Sequence, residues 1–303
     1  MTSADSQYRL LDSGRFQKLE QIGSFRLIRP ASGAVWEPAM SEQEWAKADA
    51  TFVRHKGGDG SWKFRRGGSD QNWRVRTGAV ALELRCTDFG HLGIFAEQRL
   101  NWQRIGELVQ ALHVSLKQPP KILNLFAYTG GSTLAAAVAG AEVVHVDASK
   151  TSVAWARDNA KVSGLADHPI RWIVEDVRRF VGREVRRGNR YHGIILDPPS
   201  FGRGSRGQVW KIETDMTEFL QQLRLLLDDS ASFVNLSSHS QGYTPIALKN
   251  LLCNNMPAAG ATFYEEMIVP SECGRSLPSG ATCFWVNKND SLTTTIRHFK
   301  PAE

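Results

Sequence analysis

Asn124-Leu-Phe-Ala-Tyr-Thr-Gly-Gly131 is the stretch that decides the fold of this 303-residue chain. It follows an apolar run from Ile122 to Phe126 and precedes a helical pattern from Ser132 to Ala139, so it reads as a turn from strand into helix. Adjacent glycines let the backbone turn tightly and approach a ligand with no Cβ in the way. The stretch points to a nucleotide-type ligand, and a plain glycine-rich turn is the alternative.

Downstream, strands and helices alternate. The predicted strands are Glu142 to Val146, Ile170 to Val174, Gly193 to Leu196 and Ala231 to Leu236. The predicted helices are Lys150 to Ser163, Arg178 to Arg187, Glu213 to Leu227 and Pro245 to Asn254. This order predicts a parallel α/β sheet with helices on both faces. Thr262 to Val269 and Thr282 to Val286 read as a closing pair joined through a loop from Ser271 to Gly280. Upstream, apolar residues from Trp102 to Leu116 fall on one face of a helix spanning Asn101 to Leu116, which Pro119-Pro120 ends. Before it come short strands at Phe25 to Ile28, Trp62 to Phe64, Trp73 to Arg76 and Val80 to Leu84. Turns at Gly57-Gly58, Gly67-Gly68 and Gly78 separate them. The expected organisation is a small β-rich domain over residues 1–95, a connecting helix over 96–120 and an α/β domain over 121–303.

In an open parallel sheet, ligands bind beyond the carboxyl ends of the strands. The second strand ends at Asp147, 16 residues past Gly131. An acidic residue at that distance can accept hydrogen bonds from both ribose hydroxyls, in NAD as well as in other nucleotides. After the third strand, Glu175-Asp176-Val177 faces an adenine ring, caps the following helix, or does both with one residue. The fourth strand runs into Asp197-Pro198-Pro199-Ser200-Phe201. Two prolines fix the backbone and remove two N–H donors, leaving carbonyls and the Asp197 carboxylate to accept from a substrate nitrogen. Phe201 can stack on a flat base or belong to the core.

These residues resemble the bacterial class I S-adenosylmethionine (SAM) dependent methyltransferases related to the large-subunit (23S) ribosomal RNA methyltransferases. The likeness covers about Leu92 to Val286. It rests on Asn124 to Gly130, Val146-Asp147-Ala148-Ser149, Asp197 to Phe201, and Phe95-Ala-Glu-Gln98-Arg99. It implies a Rossmann-like, seven-stranded sheet, mostly parallel with an antiparallel last strand. It also implies SAM as cofactor and an EC 2.1.1 methyl transfer. By the same resemblance Gln98 and Arg99 fold over the cofactor, Tyr128, Thr129, Gly130 and Gly131 line its methionine part, and Phe126 and Ala127 also bind it. Asp147 holds the ribose, with Ala148 and Ser149 beside it among the cofactor-binding residues, and Glu175, Asp176 and Val177 hold the adenine. Asp197, Pro198, Pro199 and Ser200 face the transfer site. No metal is required, because SAM already carries a good leaving group.

Methylation at carbon 5 of a pyrimidine needs a cysteine nucleophile. The fifth strand instead ends Asn235-Leu-Ser-Ser-His239-Ser240, and no thiol lies between Asp197 and Phe201. That favours a nitrogen acceptor. His239 either assists proton removal or is a hydrogen-bonded structural histidine.

The chain carries a formal charge of +6, which favours polyanionic partners. Arg54-His-Lys56, Trp62-Lys-Phe-Arg-Arg66 and Trp73-Arg-Val-Arg76 interleave cations with aromatics, suiting either an RNA face or a small β core with snorkelling cations. The arginines between Arg178 and Arg190 read as a solvated helix face or an RNA contact. Cys86, Cys253, Cys273 and Cys283 are too scattered for a disulfide framework or zinc. No run approaches the roughly 18 apolar residues needed to cross a bilayer, and no signal-like segment opens the chain, so a cytoplasmic protein is expected. The expected substrate is RNA, first of all ribosomal RNA. A protein side-chain amide or small molecule is the alternative acceptor. An NAD enzyme is disfavoured by the missing G-x-G-x-x-G.

Overall fold

The computed structural model describes residues 7–55, 59–68, 73–203, 207 and 209–301. The turn expected at Gly57-Gly58, and Lys56 beside it, lie outside these residues. The chain divides into two units. One runs to Glu97 and includes Ile268–Ser279; the other holds Gln98–Met267 and the chain from Gly280 onward.

The first unit is built on strands β1 (Tyr8–Gly14), β2 (Gln17–Ile22) and β3 (Phe25–Pro30), the short helix α1 (Glu42–Trp45), then β4 (Ala50–Arg54) and β5 (Gly60–Phe64). The five strands form one sheet in chain order, and β6 (Trp73–Thr77) and β7 (Val80–Leu84) make a separate antiparallel ribbon. Strands β1, β2 and β4 and helix α1 are absent from the sequence-based expectation. The turn between β1 and β2 explains part of this: Arg15 and Phe16 take the left-handed conformation, with φ of 50° and 62°, in place of the Asn or Gly that announces such a hairpin. The aromatics of this unit pack on one another, with Phe25 5.5 Å from Trp73 and Phe52 5.3 Å from Trp62. Phe25, Phe52 and Trp73 are buried, so they act as core.

Residues 268–279 differ from the expected domain limits. Val269 and Leu277 share an apolar cluster with Leu10 and Ala34, and Leu10 bridges Ser271. Burial of apolar surface links segments far apart in the chain, and sequence distance hides it.

The second unit begins with helix α2 (Arg99–Leu116), which the expectation treated as a connector. The repeating units follow: β8 (Lys121–Leu125), α3 (Gly131–Val138), β9 (Glu142–Asp147), α4 (Lys150–Val162), β10 (Ile170–Val174), α5 (Val177–Arg186) and β11 (Gly193–Leu196). A small hairpin, β12 (Phe201–Arg203) and β13 (Val209–Lys211), leads into α6 (Ile212–Arg224). The chain closes with β14 (Phe233–Ser238), α7 (Pro245–Asn255), β15 (Ala261–Val269), β16 (Leu277–Val286) and α8 (Asp290–Arg297).

These strands form a seven-stranded sheet in the order β10-β9-β8-β11-β14-β16-β15. The first five are parallel and β16 runs antiparallel to β14. The α/β class and the antiparallel final strand are therefore as expected. The hairpin β12–β13 and helix α8 are not in the expectation; three-residue strands carry too little alternation to be legible. Strand β16 also starts at Leu277 rather than Thr282. Because sheet order reverses between β8 and β11, the ends of β8, β9, β11 and β14 open on one crevice. The core beneath includes Leu123, Leu125, Ile194, Leu196, Val234 and Leu236.

Candidate functional site

Phe126 and Tyr128 adopt φ of 53° and 48°, and Gly130 φ of 90°. Such conformations cost bulky residues of order 1–3 kcal/mol each and persist only where surroundings enforce them. Two contacts do so. The Tyr128 amide donates to Asp147 Oδ2 at 2.9 Å, and Asn159 Nδ2 donates to the Thr129 carbonyl at 2.9 Å. The Phe126 ring packs 5.0 Å from Trp210. The loop then enters α3 with Gly130 as N-cap and no side chain capping it, so amide donors at the helix start remain for an anionic ligand group.

Asp147 accepts from Tyr128 and, through Oδ1, from the Ser149 amide at 2.8 Å. Each carboxylate oxygen has a further lone pair. Burial raises its pKa despite the amide bonds from Ser149 and Tyr128, a site where further hydroxyl donors stabilise the anion. Ser149 caps α4 by accepting from the Ser152 amide, and half-buried Ala148 lies between these two residues. Glu175 forms a bidentate pair with Arg183 at 2.8 and 2.6 Å. The side chain of Asp176 caps α5 through the Arg178 and Arg179 amides, and Val177 is buried. Asp176 thus serves as the cap and Glu175 as an ion-pair partner. Two arginines of the basic cluster at α5 are also paired: Arg178 with Asp215, and Arg187, at its C-cap, with Glu184.

At the end of β11, Asp197 Oδ2 accepts from Gln98 Nε2 at 2.9 Å and lies 3.3 Å from His239 Nε2. Gln98 also donates to Ser237 Oγ at 2.9 Å. Burial alone would push the Asp197 carboxyl up. The charge and hydrogen bond of His239, with bonds from Ser237 and Gln98, instead hold it below the ordinary carboxylate value. Among the described residues Asp197 Oδ1 is buried with no hydrogen-bond partner, an acceptor left for something to fill.

Pro198 is buried, while Pro199 and Ser200 are exposed. The carbonyl of Pro199 is not offered outward as expected: Trp210 Nε1 donates to it at 2.8 Å. Ser200 Oγ lies 2.6 Å from Ser240 Oγ, Phe201 is half-exposed at the start of β12, and Arg99 is exposed at the start of α2.

Thus Gln98, Asp197 and His239 meet at one strand end, and the 126–131 loop meets Asp147 at another. Gln98, assigned to the cofactor by resemblance, is directed at Asp197. Four contributors escaped sequence reasoning: Trp210, Asn159, Asn101, whose Nδ2 donates to Gln98 Oε1 at 2.7 Å, and Gly280. A Cβ on Gly280 would stand 2.7 Å from the Ser238 carbonyl and 3.1 Å from His239 Nδ1. The available signals were faint: Asn101 follows Gln98 by one helical turn, and Asn159 is a polar residue on an apolar helix face.

The open α3 amides, the raised Asp147 carboxylate and the unpartnered Asp197 oxygen suit a zwitterionic nucleoside and an N–H-bearing acceptor. They fit SAM. The comparisons agree. A family model described as S-adenosylmethionine-dependent methyltransferase matches residues 44–245. The crystal structure of a SAM-dependent methyltransferase from Agrobacterium tumefaciens is 36% identical, with a TM-score of 0.87 over 95% of this chain and 92% of that one. A methyltransferase solved with S-adenosylhomocysteine (SAH) shares the fold at 18% identity and a TM-score of 0.72, over 94% of this chain and 76% of that one. The ribosomal RNA large subunit methyltransferase K/L of Vibrio cholerae is 27% identical over 54% of this chain. The chain spans 22% of that relative's length. Among the described residues no helix is long and apolar enough to cross a membrane.

Proposed function

The chain belongs to the S-adenosylmethionine-dependent methyltransferases, and from that membership we propose that it methylates a nucleobase nitrogen in RNA, with ribosomal RNA first among substrates. The observation that carries this reading is Asp197 Oδ1, a buried carboxylate oxygen with no partner among the described residues, at the end of a strand facing the crevice. When bound, SAM supplies an activated methyl group and a thioether leaving group.

The chain's own residues then have three tasks. The 126–131 loop and Asp147 hold the cofactor in register with the end of β11. Asp197 Oδ1 accepts an N–H of the substrate, turning the nitrogen lone pair toward the methyl group; alignment of this kind supplies most of what such a reaction needs. His239 Nε2, 3.3 Å from Oδ2, keeps the carboxylate ionised by its charge, and the proton released from the methylated nitrogen passes to the Asp197 carboxylate and on to solvent. No cysteine occupies either strand end, and Cys283 is buried opposite Leu236 in the sheet, which supports nitrogen over carbon 5 of a pyrimidine. The name of the Vibrio relative supports ribosomal RNA.

The test is mass spectrometry of RNA nucleosides from cells with and without the protein, paired with methyl transfer from labelled SAM to purified ribosomal RNA. A methylated guanine or adenine that disappears with the protein is expected. Unchanged nucleosides alongside label in protein or small molecules would move the acceptor to a side-chain amide or metabolite.

A further inference from the structure

In the first unit, a cavity of about 160 Å³ is lined by residues that include Tyr8, Lys18, Arg29, Phe52, Arg54 and Glu97. Lys18 and Arg29 are direct cross-strand neighbours in the β2–β3 pair. Like charges placed so repel one another, and a purely structural pair of strands gains nothing from them. One fully buried carboxylate, Glu20, compensates: Arg29 Nε and Nη2 donate to it at 2.6 Å each, Lys18 Nζ stands 3.1 Å away, and the Tyr8 hydroxyl donates at 2.5 Å. Glu20 is thereby saturated while the cations are not. Arg29 spends one further donor on the Gly90 carbonyl at 2.9 Å, so that among the described residues two of its five N–H groups and two of the three on Lys18 are left. Arg54, exposed on β4, has no ion-pair partner among the described residues. With Lys18, Arg29 and Arg54 against Glu20 and Glu97, one positive charge is left over at the cavity.

We propose that this cavity is a phosphate-binding site, in which Lys18, Arg29 and Arg54 receive one phosphate group while Tyr8 and Phe52 wall the apolar side. One surplus charge matches one phosphodiester, and preset cations against a low-dielectric floor bind an anion more strongly than the same cations in water. The phosphate belongs either to an RNA backbone or to a free phosphate compound. The site stands on this unit's own charges and does not depend on the identity of the methyl acceptor.

Calorimetric titration of the full chain with inorganic phosphate and with a short unstructured RNA over a range of salt separates these sources. Lys18→Gln/Arg54→Gln is the variant, Lys18→Arg/Arg54→Lys the charge-preserving control, and SAH binding the check that the second unit is intact. An RNA source predicts several-fold weaker RNA binding in the Gln variant and a log–log salt slope flatter by about 0.7, the share of one phosphate on a single strand. A free-anion source predicts saturable binding of inorganic phosphate that the Gln variant loses, with RNA binding unchanged. If the double variant fails to fold, Arg54→Gln alone carries the test, since Arg54 is exposed. Wild-type and Gln proteins that bind RNA equally, with no saturable phosphate binding, overturn the site.

Discussion

The Gln98 carboxamide donates to Asp197 Oδ2 and to Ser237 Oγ, both at 2.9 Å, while its own Oε1 accepts from Asn101. Asn101 thereby fixes which end of the amide faces the carboxylate, and Gln98 fixes which carboxylate oxygen is occupied. Oδ1 is left as the acceptor. Gln98→Leu keeps the side chain's bulk and removes the donor. The expected result is a fall of about 10- to 100-fold in the methyl-transfer rate constant, from loss of alignment, with SAH affinity changed far less. The acid limb of the pH–rate profile should move upward, because Asp197 loses a bond that favours its ionised form. Single-turnover rates against pH measure both, and an unmoved acid limb would leave Gln98 a packing residue.

Trp210 joins the two halves of the site: its ring lies 5.0 Å from Phe126 and 5.5 Å from Phe219, and its indole N–H holds the Pro199 carbonyl. Trp210→Phe preserves an aromatic ring and deletes the N–H. Pro199 is exposed, so water replaces the lost donor and stability should fall by only about 0.5–1.5 kcal/mol. Turnover should fall more than SAH affinity does. Denaturant melts, calorimetry and turnover on one preparation distinguish this from general loosening, which would lower both together.

Gly131 opens α3 against α2. A Cβ there would sit 2.3 Å from Trp102 Cζ2 and 2.7 Å from its Cε2. Gly131→Ala should cost about 1–3 kcal/mol through forced repacking. Gly131→Ala/Trp102→Phe, which shortens the opposing ring, should recover part of it. Urea unfolding of the two variants and of Trp102→Phe provides the comparison, and strictly additive costs would count against the contact.

His145 lies under the same loop. Its Nδ1 is 2.9 Å from Thr133 Oγ1, and its Nε2 is buried without a partner among the described residues. Burial, aided by the charge of Arg157, pushes the imidazole pKa from 6.5 down to about 3. The folded state thus refuses a proton that the unfolded chain takes up, so the stabilisation is complete above the unfolded value and is lost as pH falls from about 6.5 toward 3. Between pH 7 and pH 5 this amounts to about 2 kcal/mol. His145→Asn should flatten the stability profile over that interval by a similar amount, as read from denaturant midpoints at the two pH values.

The strand ends were legible because their chemistry is local. Gly130, Asp147 and Asp197 each sit directly after an apolar run, and parallel topology forces such ends onto one edge of the sheet. The partners were not. Gln98 meets Asp197 across 99 residues of chain and Ser237 across 139, distances at which no periodicity carries a signal. Glu175 and Asp176 show the opposite limit. Their types suit an adenine contact and a helix cap equally, and only the positions of the α5 amides and of Arg183 show that Asp176 caps α5 while Glu175 pairs with Arg183.

From the sequence alone came the α/β class, the succession of strands and helices in the second unit, and the carboxylates at their ends, since periodicity and turn chemistry act between near neighbours. Tertiary structure decided which oxygen of Asp197 is occupied, that Trp210 takes the Pro199 carbonyl, and that residues 268–279 join the first unit. Those outcomes depend on apolar burial and on buried polar groups finding partners, and both are settled between segments that meet only once the chain has folded.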